Sequence, residues 1–303
     1  MKITVSFNLI LKILLQAFLV IIILKTKVYG DSLPTISIII DDIGNTQILG
    51  YRTARLSPEV AISVLPHTPY SQQIAIFAHQ RGMEILLHQP MESLDNVDLL
   101  GPGALLGTMD RQQFAQTLEN NFKAIPFVIG INNHMGSALT TDPEKMNWLM
   151  AELKPRAMFF IDSRTTTDTV AAKTAEYWQV PFVSRMVFLD HLDEPQAIDE
   201  QFKRLIKLAR KHGHATAIGH PRENTLHYLE QNLPLLKRQG IRLIAPSMVI
   251  KSILSNDFED SQIAKKSVPL YFYDSCYSND IGNNFNKLQS QTQYYSYQCL
   301  WTN

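Results

Sequence analysis

The 303-residue sequence predicts an α/β fold, a (β/α) barrel of about eight parallel strands. Three observations predict it. Short β-branched or apolar runs alternate with amphipathic stretches over residues 35–247, the pattern of strands joined by crossover helices. The runs are almost continuously apolar, as in parallel strands buried on both faces. Polar residues able to do chemistry follow the C-terminal ends of these runs, which in a parallel barrel open on one rim.

Taken in order, the predicted strands cover residues 36–40, 60–65, 84–87, 127–131, 157–161, 182–184, 215–219 and 241–245. The intervening helices carry local signals. Asp110 and Gln113 read as a capping box, followed by Phe114, Leu118 and Phe122 at helical spacing. Pro143 after Asp142 opens another helix. Residues 195–212 place Ile198, Phe202, Leu205, Ile206 and Ala209 on one face, and Gly213 ends the run.

The ends of the chain differ from this core. Lys2 and Lys12 precede an apolar run over 13–24 broken by Gln16, and Val28, Tyr29 and Gly30 stand before Asp31. That order predicts a secretory signal over 1–30. Counted from Phe7, the apolar stretch reaches the roughly 18 residues of a membrane span, so retention as an N-terminal anchor is the alternative. Either way the chain is expected to be exported, to the periplasm or cell envelope. Cys276 and Cys299 are then free to pair, or remain as two thiols, and both lie far from the polar motifs. The barrel is expected over 31–250, and residues 251–303, rich in Asn, Ser, Gln and Tyr, read as an irregular tail. The segment 92–108, with Gly101, Pro102, Gly103 and Gly107, is long for a connection and is expected to shape the barrel mouth. Lys+Arg and Asp+Glu both number 28, so no overall field gathers nucleic acid or anionic lipid, and a neutral or locally recognised substrate is expected.

Asp41 and Asp42 follow the first run and His67 the second; His88 ends the third; Asn132, Asn133 and His134 end the fourth; Asp162, Ser163 and Arg164 end the fifth; His220 ends the seventh. A carboxylate and two imidazoles from separate strands make a three-ligand set for a catalytic divalent cation, and Asp42, His88 and His134 supply it. Taken singly, each histidine also reads as a hydrogen-bonded core or rim residue. Asp41 reads as the base that takes a proton from activated water, if the strand end bends to bring adjacent side chains to one side. Either Asp alone also reads as a cap of the next helix. His220, between Gly219 and Pro221, reads as the general acid, or as a rim histidine with a structural bond. Asp162 and Arg164 read as an ion pair that orients His220 or binds substrate, or as a structural rim pair. Asn133 and Asp190 are further candidates for substrate binding or orientation. His67 and His191 are weaker, and His79, His212, His214 and His227 read as solvated or structural. Tyr51 and Phe188 could stack a sugar ring, although packing is the commoner role.

At this point the strings ISIIIDDIG at 36–44, LLHQPME at 86–92, INNHMGS at 131–137, FFIDSRTT at 159–166, RMVFLD at 185–190 and IGHPR at 218–222 matter together. The chain resembles the divergent polysaccharide deacetylases, an offshoot of the chitin- and peptidoglycan-deacetylase superfamily. The resemblance implies a distorted (β/α) barrel of seven to eight strands and an Asp-His-His metal centre, most often zinc. It carries Asp41 to the base position, Asp42, His88 and His134 to the metal ligands, and His220 to the acid. It also implies a carbohydrate polymer as substrate, deacetylated at N- or O-acetyl groups. In better-studied deacetylases the two metal histidines lie one helical turn apart in a single HxxxH motif, whereas here they end different strands. The alternative functions are a catalytically silent envelope protein that binds glycan or a partner through the same cleft, and a different metal-dependent hydrolase such as a phosphoesterase.

Overall fold

Strand alternation sorts the apolar runs into two cores. On β1 (Thr35–Ile43), Ile36, Ile38 and Ile40 join the larger cluster, packed with helix residues such as Ile74, Phe114, Leu149 and Phe202. Ile39, of opposite parity, joins a smaller inner cluster with Ala61, Leu86, Phe159, Ile161, Val183 and Ile218. The structure, a computed structural model, describes residues 33–95 and 97–259, with side chains to Leu254. The expected signal or anchor at 1–30, Cys276, Cys299 and the tail beyond Glu259 lie outside the described residues.

After β1 come β2 (Ala61–Val64), β3 (Ile85–Met91), β4 (Val128–Met135), β5 (Phe159–Asp162), β6 (Phe182–Ser184), β7 (Val187–Phe188), β8 (His214–Gly219) and β9 (Arg242–Leu243). The order across the sheet is β6-β5-β4-β3-β2-β1-β8-β7, with β9 set beside β1. Every strand pair is parallel. The two edge strands are consecutive in the chain. Ser184 pairs with Asp162, the Arg185 amide donates to Asp162 O, and the next amide, Met186, already donates to Thr216 O of β8. Val187 and Phe188 then pair with Ala217 and Ile218. Residues 182–188 are therefore one bent strand that serves both edges, and the parallel sheet curls into the expected distorted barrel. Counting β6 and β7 together, the ring has seven strands, the eight of the ordered path less one.

The helices form as the sequence indicates. Asp110 caps Arg111–Ala124, accepting from the Gln113 amide while Gln113 accepts from Asp110 N. Asp142 and Pro143 start Pro143–Leu153. Pro195–His212 buries Ile198, Phe202, Leu205, Ile206 and Ala209 and stops at Gly213, whose φ of 82° suits glycine. One boundary differs from expectation. The helix Pro246–Glu259 runs into the stretch read as an irregular tail. Its Val249 and Ile250 enter the inner core, and its Ser247 amide and hydroxyl both donate to Glu84, just before β3. This helix thus closes the N-terminal end of the barrel. Above it, a Cβ on Gly130 would lie 2.5 Å from the Phe159 ring, so the absent side chain is what lets that ring fill the lumen.

At the N-terminal end of β8, the half-buried His214 meets Thr35 Oγ1 at 3.1 Å and Thr216 Oγ1 at 2.9 Å. Burial disfavours the charged ring and pushes its pKa from 6.5 down to about 4. Because the folded value is depressed, the stabilisation is complete above pH 6.5 and is lost as pH falls through about 4. Urea titrations at about pH 7.5 and about pH 4.5 are expected to show a smaller drop in midpoint for His214→Gln than for the wild type. An equal drop would assign the acid sensitivity to other groups.

Candidate metal centre

The strands run further than their apolar cores. β1 continues through Asp41 and Asp42, β3 through His88 and Pro90, and β4 through Asn132 and His134, so these residues extend the ladder instead of following it. Pro90 is tolerated because its carbonyl, which accepts from Leu105 N at 2.8 Å, still serves. The lumen narrows to the apolar layer below and turns polar here.

Adjacent strand residues ordinarily face opposite ways. Asp42 escapes this because its φ is 56°, in the left-handed region, which turns its carboxylate back toward the mouth. Its Oδ1 lies 3.1 Å from His88 Nε2 and 3.0 Å from His134 Nδ1, and the two nitrogens are 3.1 Å apart. These three atoms, from β1, β3 and β4, converge on one point. Asp42 Oδ1 is buried, yet neither imidazole contact has hydrogen-bond alignment. A buried acceptor facing two ring nitrogens without a donated proton is what a cation resolves, and a carboxylate with two imidazoles suits zinc-like ions.

Asp41 is buried, with Oδ2 3.7 Å from His88 Nε2 and Oδ1 accepting from Asn132 Nδ2 at 2.8 Å. Burial pushes its carboxyl up, against the nearby imidazoles, which lower it. Burial also raises Asp42, but the imidazoles of His134 and His88 close beside it overcome that and hold its carboxyl well below the usual range. His88 is the mirror case: burial lowers it, and the charges of Asp41 and Asp42 win, taking it up to about 9. The two carboxylates thus draw positive charge to this point.

His220 stands on the far oxygen of Asp42, with Nε2 3.8 Å from Oδ2. Its Nδ1 meets Asp190 Oδ1 at 2.9 Å, and its amide donates to Asp190 Oδ2 at 2.7 Å. Thr225 Oγ1 donates to the same Oδ2, so Asp190 is a fully buried clamp on one histidine. Burial works against the imidazolium of His220, but the bond to Asp190 and the neighbouring aspartates outweigh it and raise the pKa.

Other candidates fall elsewhere. Asp162 and Arg164 form no side-chain ion pair among the described residues; Asp162 Oδ1 accepts from the Arg164 amide at 2.8 Å and Oδ2 from Thr169 Oγ1 at 3.2 Å. Neither atom reaches His220, so an ion pair orienting that ring is not formed. Asn133 faces away from the lumen, binding Met135 O at 2.7 Å and the Ser163 amide at 2.9 Å, and orients the rim instead of substrate. His67 Nε2 meets Asn121, which with Gln89 holds Gly103 O and so pins the 92–108 loop. Tyr51 packs edge-on against Phe77 at 5.0 Å, both residues lying against the larger core cluster. His191 is exposed.

The hub of the site is a residue that the reading of single motifs passed over. Asn132 Oδ1 lies 2.8 Å from His88 Nδ1 and accepts from Ser63 Oγ, while its Nδ2 bonds Asp41. By fixing the proton on His88 Nδ1, it leaves Nε2 as the ligand atom. The signal was parity: Asn132 and His134 share a strand face, and Asn133 does not.

The sequence profile of divergent polysaccharide deacetylases matches residues 38–250. The chain belongs to this family. Membership implies a carbohydrate substrate and suggests hydrolytic chemistry. The chain is 35% identical over 230 residues to an uncharacterised protein of Haemophilus influenzae, covering 75% of this chain and 82% of that one. It is 33% identical over 221 residues to the uncharacterised protein YibQ of Escherichia coli, covering 72% and 68%. The crystal structure of an uncharacterised protein from Agrobacterium tumefaciens C58 is similar at a TM-score of 0.70 and 20% identity, over 73% of this chain and 90% of that one, which supports the fold.

In this family member Asn132→Leu, which keeps the volume but frees His88, is expected to weaken the binding of added zinc about 10- to 100-fold. Competition with a chromophoric chelator measures it. Wild-type affinity in a folded Leu variant would show that Asn132 does not set the His88 ligand atom.

Proposed function

We propose that this chain is an exported metal-dependent deacetylase that removes N- or O-acetyl groups from an envelope polysaccharide, with Asp42, His88 and His134 holding zinc. What carries the reading is the convergence of Asp42 Oδ1, His88 Nε2 and His134 Nδ1, flanked by a buried Asp41 and a clamped His220. The apolar run before Asp31 supports export to the periplasm or cell envelope.

A cation in this centre supplies Lewis acidity, lowering the pKa of a water and polarising an acyl oxygen. Asp41 takes the water's proton. Its Oδ1 is engaged by Asn132, which leaves Oδ2 for that proton, and burial gives it more proton affinity than an exposed aspartate. His220 presents Nε2 to the departing nitrogen or oxygen because Asp190 occupies Nδ1. The raised pKa keeps a proton there to donate. The acyl C–N or C–O bond breaks, the water oxygen leaves in acetate, and the His220 proton completes the amine or hydroxyl. Asp190 touches no substrate and positions His220.

Elemental mass spectrometry of the purified protein is expected to find about one zinc-like ion per chain, lost in folded His88→Ala and His134→Ala variants. Asp41→Asn and His220→Gln are expected to keep the ion yet release acetate from acetylated glycan about 10²- to 10⁴-fold more slowly. A folded wild type that takes up neither zinc, manganese nor cobalt would sink the hydrolase reading. A metal-loaded protein without turnover on any acetylated glycan would make the cleft a binding surface.

A further inference from the structure

On the flanks of the barrel Arg52 reaches Glu230 at 2.7 Å, Arg111 reaches Glu152 at 2.6 Å and Arg156 reaches Glu119 at 2.9 Å, while Arg55, Arg81 and Arg210 donate to backbone carbonyls. Three more arginines stand at the mouth. Arg164 follows β5, Arg185 sits at the bend between β6 and β7, and Arg222 follows β8. None of the three forms a carboxylate ion pair among the described residues. Arg185 donates from Nε to Ser163 O at 2.6 Å and from Nη2 to Arg164 O at 2.9 Å. Its Cζ lies 5.2 Å from the centroid of Phe188, whose ring is 5.3 Å from that of His220. Arg222 donates from Nη1 to Asp190 O at 2.7 Å, on the residue that clamps His220. Backbone carbonyls therefore hold these two cations beside the candidate acid without cancelling their charge.

Arg164 completes the group. Its side chain makes no hydrogen bond among the described residues, and its backbone has a φ of 48°, uncommon for a residue with a Cβ. The Asp162 carboxylate holds that conformation by accepting the Arg164 amide. Asp162 has both oxygens engaged by the Arg164 amide and Thr169 Oγ1, so it acts on the Arg164 and Arg185 guanidiniums through space and forms no direct ion pair with either. A strained arginine kept at the mouth, together with two anchored ones, gives this rim three guanidiniums with no direct carboxylate ion pair among the described residues. Planar guanidinium forks match carboxylate and phosphate oxygens.

We propose that the cleft takes an anionic glycan, one bearing a carboxylate or phosphate next to its acetylated position, and that Arg164, Arg185 and Arg222 bind that group. The inference rests on the deacetylase reading for the acetyl position and on the arginines alone for the charge. Of the neutral or locally recognised substrate that overall composition suggests, it takes the locally recognised one.

Calorimetry tests it with the as-purified Asp41→Asn protein, which keeps every arginine and turns the probes over slowly. The probes are a neutral N-acetylglucosamine tetramer, a tetramer alternating that sugar with its lactyl-ether carboxylate counterpart, and a 6-phosphorylated tetramer. At least one acidic tetramer is expected to bind about tenfold or more tightly than the neutral one, with the gap narrowing as salt rises. The tighter of the two identifies carboxylate or phosphate as the group. Adding Arg164→Gln and Arg222→Gln is expected to bring the acidic probes to the affinity of the neutral one, while the Arg→Lys pair keeps part of the gap. Equal binding of all three probes, no binding of either acidic one, or a gap that survives the Gln pair overturns the proposal. Wild-type turnover separates the two readings. Acidic preference without acetate release upholds the anion site and rejects the deacetylase, and equal acetate release from neutral and acidic probes does the reverse.

Discussion

Two adjacent carboxylates at the mouth of an apolar barrel, Asp41 buried and Asp42 partly so, are the constraint on which the upper half of this protein depends. An unpaired buried charge costs several kcal/mol, and Asp41 is only 2% exposed. The surrounding groups answer that cost one by one. Asn132 donates to Asp41, His88 and His134 crowd Asp42, and His220 approaches from the other oxygen. Each partner is braced in turn: Asn132 by Ser63, and His220 by an Asp190 that Thr225 also holds. The polar network is thus continuous from β1 across the lumen to both sides of the cleft.

Below that layer the requirements are the ordinary ones of close packing. Phe159 fills the space Gly130 leaves, and Val249 and Ile250 close the end away from the site. The division is sharp because parity in a strand is strict. Ile39 and Asp41 point into the same lumen, one at the level of the dry core and the other at the chemistry.

Much of this was legible in the sequence. Apolar runs marked eight of the nine strands near their true positions, and the capping box at Asp110 and the amphipathic face of Pro195–His212 were readable outright. The strand ends were misjudged in a consistent way. β1, β3 and β4 all extend beyond their apolar runs, because residues facing a polar lumen look like loop in a hydropathy pattern. β7, two residues long, carries too little pattern to see, and its role in closing the ring comes from backbone bonds at Arg185 and Met186. The convergence of Asp42, His88 and His134 was legible from residue type and position. Asn132, Asp190 as a clamp and the three arginines at the mouth were not, since each depends on distances between elements far apart in sequence.

The three converging atoms come from three separate strands, and His88 and His134 stand 46 positions apart. No local segment can preform such a centre, so it exists only once β1, β3 and β4 have found their register. A cation bound there would act as a long-range staple. Its binding energy would add to the unfolding free energy of the whole barrel, by mass action, and not to one loop. Metal scarcity would then shorten the lifetime of the folded chain as well as silence its cleft.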